Sequence, residues 1–173
     1  LNYRIFDNTE DNYPLSALDG ETTVISRAAN IAAERGILVV NSASNEGSGS
    51  MTVWPPADSP HVLAVGAISS SGNIAYFSGR GPTYDGRIKP DVVAMGVSTN
   101  LASGTNKFIT GNGTSFSTPQ IAGLSALLLQ AHPELHPDSI ITLFRESSDR
   151  YNQPDNDYGY GLPDLRQYFT DVS

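Results

Sequence analysis

Residues 111–130, GNGTSFSTPQIAGLSALLLQ, hold the groups most able to do chemistry. Thr114, Ser115, Ser117 and Thr118 run without a linker into an apolar helical pattern. A helix starting at Thr114 or Ser115 sets a serine hydroxyl beside first-turn N–H groups that lack an intrahelical partner. The helix dipole adds partial positive charge at that end. An oxyanion developing on an attacked carbonyl therefore finds donors there. Gly111 and Gly113 allow backbone or substrate to approach closely, and Pro119 is expected to fall in the first turn, where few N–H donors are needed. The chemistry on offer is acyl transfer through a serine. A plain helix N-cap is the alternative, since Ser and Thr are preferred there and one suffices.

A second candidate is VVNSASNEG, residues 39–47, where an apolar run gives way to Asn45, Glu46 and Gly47. An asparagine amide at the carboxyl end of a strand can donate to an oxyanion. An ordinary Asn/Gly turn accounts for the same letters. The serine does not lie in G-x-S-x-G, so the strand-to-helix elbow of the α/β-hydrolases is not indicated.

These groups need elements to hold them. From Thr22 to Arg35, Val24, Ile25, Ala28, Ala29, Ile31 and Ala32 recur at helical spacing, and Gly36 stands at the C-cap. Short apolar runs at 37–40 (ILVV), 61–68 (HVLAVGAI) and 91–97 (DVVAMGV) read as strands. A long helix is expected from about Ser115 to His132, with Ile121, Leu124, Leu127 and Leu128 on its apolar side. Another begins at HPDSIITLFRESS, with Pro137 at its first position and Asp138 in its first turn. Residues 1–21 read as a surface loop, although LNYRIF resembles the inside of a strand. Alternation of helices with short, continuously apolar strands implies an α/β fold, a mainly parallel sheet with helices on both faces. Sites in such folds collect beyond the carboxyl ends of the strands.

Composition narrows the classes. With 173 residues, 39% of them hydrophobic, the chain can bury a core, about 70% of its unfolded surface at this size. It has no cysteine, which excludes disulfides, thiolate metal sites and a cysteine nucleophile. A net charge of −8, dispersed along the chain, argues against nucleic acid or an anionic membrane as partner. No apolar run approaches the roughly 18–20 residues of a membrane span. The Gly/Ser loop at 44–50 lacks both phosphate-binding glycine motifs, so a nucleotide-binding domain is not supported.

Read together and in order, these segments resemble the subtilisin-like serine peptidases. ILVVNSASNEG is similar to the strand and loop carrying that family's oxyanion asparagine, and PHVLAVGAI to its next core strand. FSGRGPTYDGRIKPDVVAMGV resembles FSSRGP…KPDVVAPGV, GNGTSFSTPQIAGLSALLLQAHP matches the nucleophile block GTSxSxPxxAG, and GYGLPDL resembles a closing glycine turn. The resemblance covers residues 22–168. It implies Ser115 as nucleophile, and Asn45 with the Ser115 backbone N–H as the oxyanion hole. It further implies Ala43 and Ser44 as one wall of the substrate cleft, with Gly113 and Thr114 as further substrate-binding positions.

The same resemblance implies what else is needed. The family's aspartate and histidine precede its asparagine, and their motifs are not found in this chain. His61, His132 and His136 read as structural or solvated. The chain is therefore expected to be the C-terminal part of a peptidase domain, incomplete at its N-terminal side, with Leu1 and Asn2 as the remnant of a substrate-pairing strand. Its expected partners are a peptide or protein substrate and the N-terminal part of the same domain. Alone, it is expected to be inactive. No organic cofactor is implied. Calcium, which many relatives bind, has only the polar loops DNTEDNY and YNQPDNDYGY to hold it, and neither fits the EF-hand pattern. A secreted or periplasmic setting follows by analogy. Four positions depart from the family pattern: Ser44 and Gly79 stand where glycine and serine are usual, Met95 replaces a proline, and Gln120 stands where many relatives have histidine. The alternative is a non-catalytic, protein-binding descendant of the fold.

Overall fold

The computed structural model describes residues 3–104 and 106–169. Helix α1 spans Val24–Glu34. The Thr23 hydroxyl caps its start by accepting the Ser26 N–H at 3.2 Å. Its end is a Schellman turn. The Ile37 N–H donates to Ala32 O at 3.0 Å and the Gly36 N–H to Ala33 O at 2.9 Å, with Gly36 at φ +80°. Ile37 is thereby drawn into the cap, and strand β1 begins two residues later than its apolar run, at Val39–Ser42.

Strands β2 (Val62–Ile68) and β3 (Val92–Met95) complete a parallel sheet of order β1-β2-β3. Val39 lies opposite Val62, and Val65 opposite Val92. Strand β2 is buried along its whole length, which is why its sequence is a continuous apolar run rather than an alternation. A separate hairpin, β4 (Thr99–Ser103) and β5 (Lys107–Gly111), is antiparallel. Sequence patterning missed it, because its residues are mixed in polarity and mostly exposed; Gly104 and Asn106 between the strands were the available signal. Helix α2 spans Thr114–Ala131 and α3 Pro137–Glu146.

The main core forms where β2 and β3 send Leu63, Val65, Val92 and Ala94 against Ile121 and Leu128 of α2. Ile140, Ile141 and Phe144 of α3 close it. Each fully buried large side chain contributes about 1.5–3 kcal/mol. Ala64, its side chain alternating to the opposite face, joins a small cluster with Ala43, Val53 and Ala57. Helix α1 packs against β1 and β2. The architecture is thus α/β with a parallel sheet and helices, as the sequence pattern implied.

Two buried carboxylates fasten the elements. Asp91, just before β3, accepts the Ala64 N–H and the Lys89 ammonium, both at 2.7 Å, and Arg145 of α3 bonds its other oxygen. Burial alone pushes the Asp91 carboxyl up, but the Lys89 and Arg145 charges together hold it below its usual value. Asp58 accepts the Ser26 hydroxyl at 2.6 Å and the Gly20 N–H at 2.9 Å. There burial wins, and the carboxyl is pushed up.

The segment before α1 is not all surface. Leu18 is fully buried, its carbonyl accepts the Tyr84 N–H, and the Arg87 guanidinium grips Asp19 O and Asp58 O. Residues 3–6 form no strand, and Leu1 and Asn2 lie outside the described residues.

Candidate active site

The carboxyl ends of the three strands converge on the start of α2. Gly96, one residue beyond β3, donates its N–H to Ile68 O, and its carbonyl accepts the Gly113 N–H, both at 2.9 Å. Gly113 then turns the chain at φ +155°, a conformation that side chains rarely tolerate, and Thr114 and Ser115 become the first two residues of α2. Ser115 is not an N-cap. The cap position is Gly113, and no side chain of the helix's own segment caps it.

The cap is supplied from β1's end instead. Asn45 Oδ1 accepts the Thr114 N–H and lies within hydrogen-bond distance of the Thr114 hydroxyl, both at 2.9 Å. The Thr114 hydroxyl also lies 3.1 Å from Ser44 O. Since the backbone N–H can only donate, the atom facing it is the amide oxygen, and Nδ2 points the other way. A β-carbon built on Gly113 would lie 3.6 Å from that Nδ2. The amide nitrogen therefore lies on the side of Gly113, at the N-cap of α2. Among the described residues it donates to no other group.

Of the six residues singled out from the sequence, Ser115 and Asn45 are exposed, while Ala43, Ser44, Gly113 and Thr114 are buried behind them. Ala43 belongs to the small apolar cluster. Thr114 ties the helix to the Asn45 loop, a role its sequence position could not reveal. As the second helical residue, Ser115 has an N–H without an intrahelical acceptor. The Ser115 hydroxyl and N–H and the Asn45 amide thus flank the start of α2, groups of the kinds that attack a carbonyl and bind an oxyanion.

One sequence expectation changes. Pro119 is the sixth residue of α2, beyond the first turn, so its ring nitrogen leaves the Ser115 carbonyl without the usual helical donor. Gln120 is structural. Its Nε2 donates to Met95 O at 2.6 Å and to Phe116 O at 2.7 Å, fastening α2 to the end of β3.

No histidine stands ready as the base. His61 Nδ1 lies 2.9 Å from Asp138, His132 Nε2 lies 3.0 Å from Tyr168 O, and the His136 ring accepts the Asp138 N–H. His132 closes the far end of α2, about 25 Å from Ser115 at 1.5 Å rise per residue, His136 opens α3, and His61 pairs with the first turn of α3. Side chains of both polar loops bond within the protein. Asp155 accepts two backbone N–H groups and pairs with Arg150, and Asp157 pairs with Arg80. Asn8 and Asp11 bond each other. Among the described residues no group of three or more acidic or histidine side chains could hold a metal ion.

Known proteins share this arrangement of elements. The chain is 36% identical to the serine protease AprX of Bacillus subtilis, over 78% of its own length and 36% of the relative's. It is 38% identical to subtilisin DY of Bacillus licheniformis, over 82% and 50%. The chain therefore spans about a third to a half of these curated relatives. Among solved structures, the self-cleaved protease domain of PatA superimposes with a TM-score of 0.68 at 28% identity, covering 83% of this chain and 53% of that one. The CspB protease of Clostridium perfringens gives 0.65 at 30% identity, covering 70% and 29%. The model described as the subtilase family matches residues 10–161, and the chain belongs to that family.

Proposed function

We propose that this chain carries the nucleophile and oxyanion-binding part of a serine endopeptidase centre. The observation that carries the reading is an exposed Ser115 at the second position of α2, with the amide of an exposed Asn45 bound to the residue just before it. Ser115 Oγ attacks the scissile carbonyl while a base accepts its proton. The carbonyl oxygen takes up negative charge between Asn45 Nδ2 and the Ser115 N–H. Collapse expels the amine, protonated by the same base, and water then hydrolyses the acyl-enzyme. Ala43, Ser44, Gly113 and Thr114 form the wall and floor behind these two groups.

The base and its orienting carboxylate come from a segment other than the described residues, whose histidines are engaged elsewhere. The N-terminal part of the same domain is the partner this reading requires, and peptides or proteins are the substrates. The setting is secreted or periplasmic, by analogy with the family. No helix of the described residues is long and apolar enough to cross a membrane.

Rapid-quench hydrolysis of a peptide p-nitrophenyl ester, with this chain in its whole protein, tests the reading. A stoichiometric burst of p-nitrophenol, abolished in Ser115→Ala, supports it. A burst that survives that substitution places the nucleophile elsewhere.

A further inference from the structure

We propose that Ser44 is a positioning residue, whose hydroxyl locks the turn that presents Asn45 to the oxyanion. The proposal rests on the serine peptidase reading and adds to it a residue that acts through Asn45. Ser44 is 1% exposed and adopts φ +111°, a region that favours glycine. A β-carbon persists there only where its surroundings hold it.

Those surroundings are specific. Ser44 Oγ donates to Thr52 O and accepts the Glu46 N–H at 3.3 Å, bridging the residue that follows Asn45 to a separate loop. Ser44 O accepts the Gly79 N–H at 3.1 Å and lies within reach of the Thr114 hydroxyl. Thr52 is itself fixed. Its N–H donates to Arg80 O at 2.8 Å, and its hydroxyl donates to Gly47 O and accepts the Arg80 N–H, each at 2.8 Å. The loop from Ser44 to Gly47 is therefore held at both ends by the Thr52–Arg80 segment, and Asn45 lies inside that span.

Space for the hydroxyl comes from Gly79. A β-carbon built there would lie 2.6 Å from Ser44 Oγ and would also run into Ala43 O. Two departures from the family pattern, far apart in sequence, are neighbours in space. Glycine at position 44 would reach the turn without strain but would have no side chain to hold it. Serine accepts the strain and supplies two hydrogen bonds that restrict the turn. A narrower set of turn conformations keeps Asn45 Nδ2 aimed where charge develops, and that preorganisation acts on the transition state rather than on substrate binding.

The test is a double-mutant cycle in the whole, active protein, with Ser44→Ala, Asn45→Ala and both together, read as kcat and KM on a peptide substrate. Fluorophosphonate labelling of Ser115 in the unmodified protein runs alongside it. The expected result is a fall in kcat of about tenfold for Ser44→Ala with KM little changed, and a fall below about twofold when Asn45 is already alanine. An equal loss in both backgrounds, a loss confined to KM, or no loss overturns the proposal. Where Ser44→Ala does not fold, Ser44→Gly takes its place in the cycle, because glycine accepts this φ. A Ser115 that takes no label overturns the peptidase reading and this proposal with it. A labelled Ser115 with an additive cycle overturns this proposal alone.

Discussion

Asn45 Oδ1 accepts the Thr114 N–H at 2.9 Å across 69 positions of sequence. This bond does two things. It caps α2 from outside its own segment, which frees Ser115 from that duty. It also sets the orientation of the Asn45 amide, whose Nδ2 lies on the side of Gly113. Helix start and strand end are thereby registered to each other at the level of single atoms.

Replacing Asn45 by alanine removes one of the two donors. The expected fall in kcat is about 10²–10³, a magnitude taken over from subtilisin, a relative of this chain. KM should change little, because the donor acts on the tetrahedral species. Steady-state kinetics on a peptide substrate checks this. A loss carried mainly by KM would reassign Asn45 to substrate binding.

Thr114→Val keeps the backbone N–H but deletes the hydroxyl that reaches Ser44 O and Asn45 Oδ1. The Asn45 loop loses part of its hold on α2, so kcat should fall about tenfold through misplacement of the amide. Stability should fall by about 1 kcal/mol for the lost buried hydrogen bond. Kinetics and urea unfolding of the same variant separate the two effects.

Lys89 is 1% exposed and its ammonium bonds Asp91 and Val62 O. Lys89→Met leaves the Asp91 carboxylate with Arg145 as its remaining charged partner, and removes the support of the β2–β3 junction. A destabilisation of about 3 kcal/mol is expected, measured by urea unfolding at neutral pH. A change below about 1 kcal/mol would mean that Arg145 alone compensates the buried charge.

Asp58 has a carboxyl pushed up by burial, so the folded protein holds that proton more tightly than the unfolded chain. Its contribution to stability is complete below the ordinary carboxylate value of 3.8, and is lost as pH rises through the raised folded value. Asp58→Asn cannot titrate. The stability of the unmodified protein relative to this variant should therefore increase as pH is lowered from 7 towards 4. Paired unfolding curves across that range test the sign, and a constant difference would show that the carboxyl is not shifted.

The sequence disclosed the elements whose pattern is set locally. The apolar run of β2, the spacing along α1 and α2, and Pro137 opening α3 each reflect one element's own burial. Ser115 and Asn45 stood out through the ordered motifs around them, since a helix cap or an Asn/Gly turn accounts for either residue type alone. What remained hidden depends on contacts between distant segments. The capping of α2 by Asn45 needs the parallel register of β1 and β2, and the fit of Ser44 against Gly79 needs two loops brought together. The β4–β5 hairpin was missed for another reason: an exposed ribbon carries no strong alternation, so its only sign is its turn.

Ser115 as the nucleophile is tested first by fluorophosphonate labelling of the whole protein, followed by peptide mapping and repeated on Ser115→Ala. One modified residue is expected, Ser115, with both label and peptide hydrolysis lost in the variant. A label on another residue, or hydrolysis that persists without Ser115, would contradict that assignment.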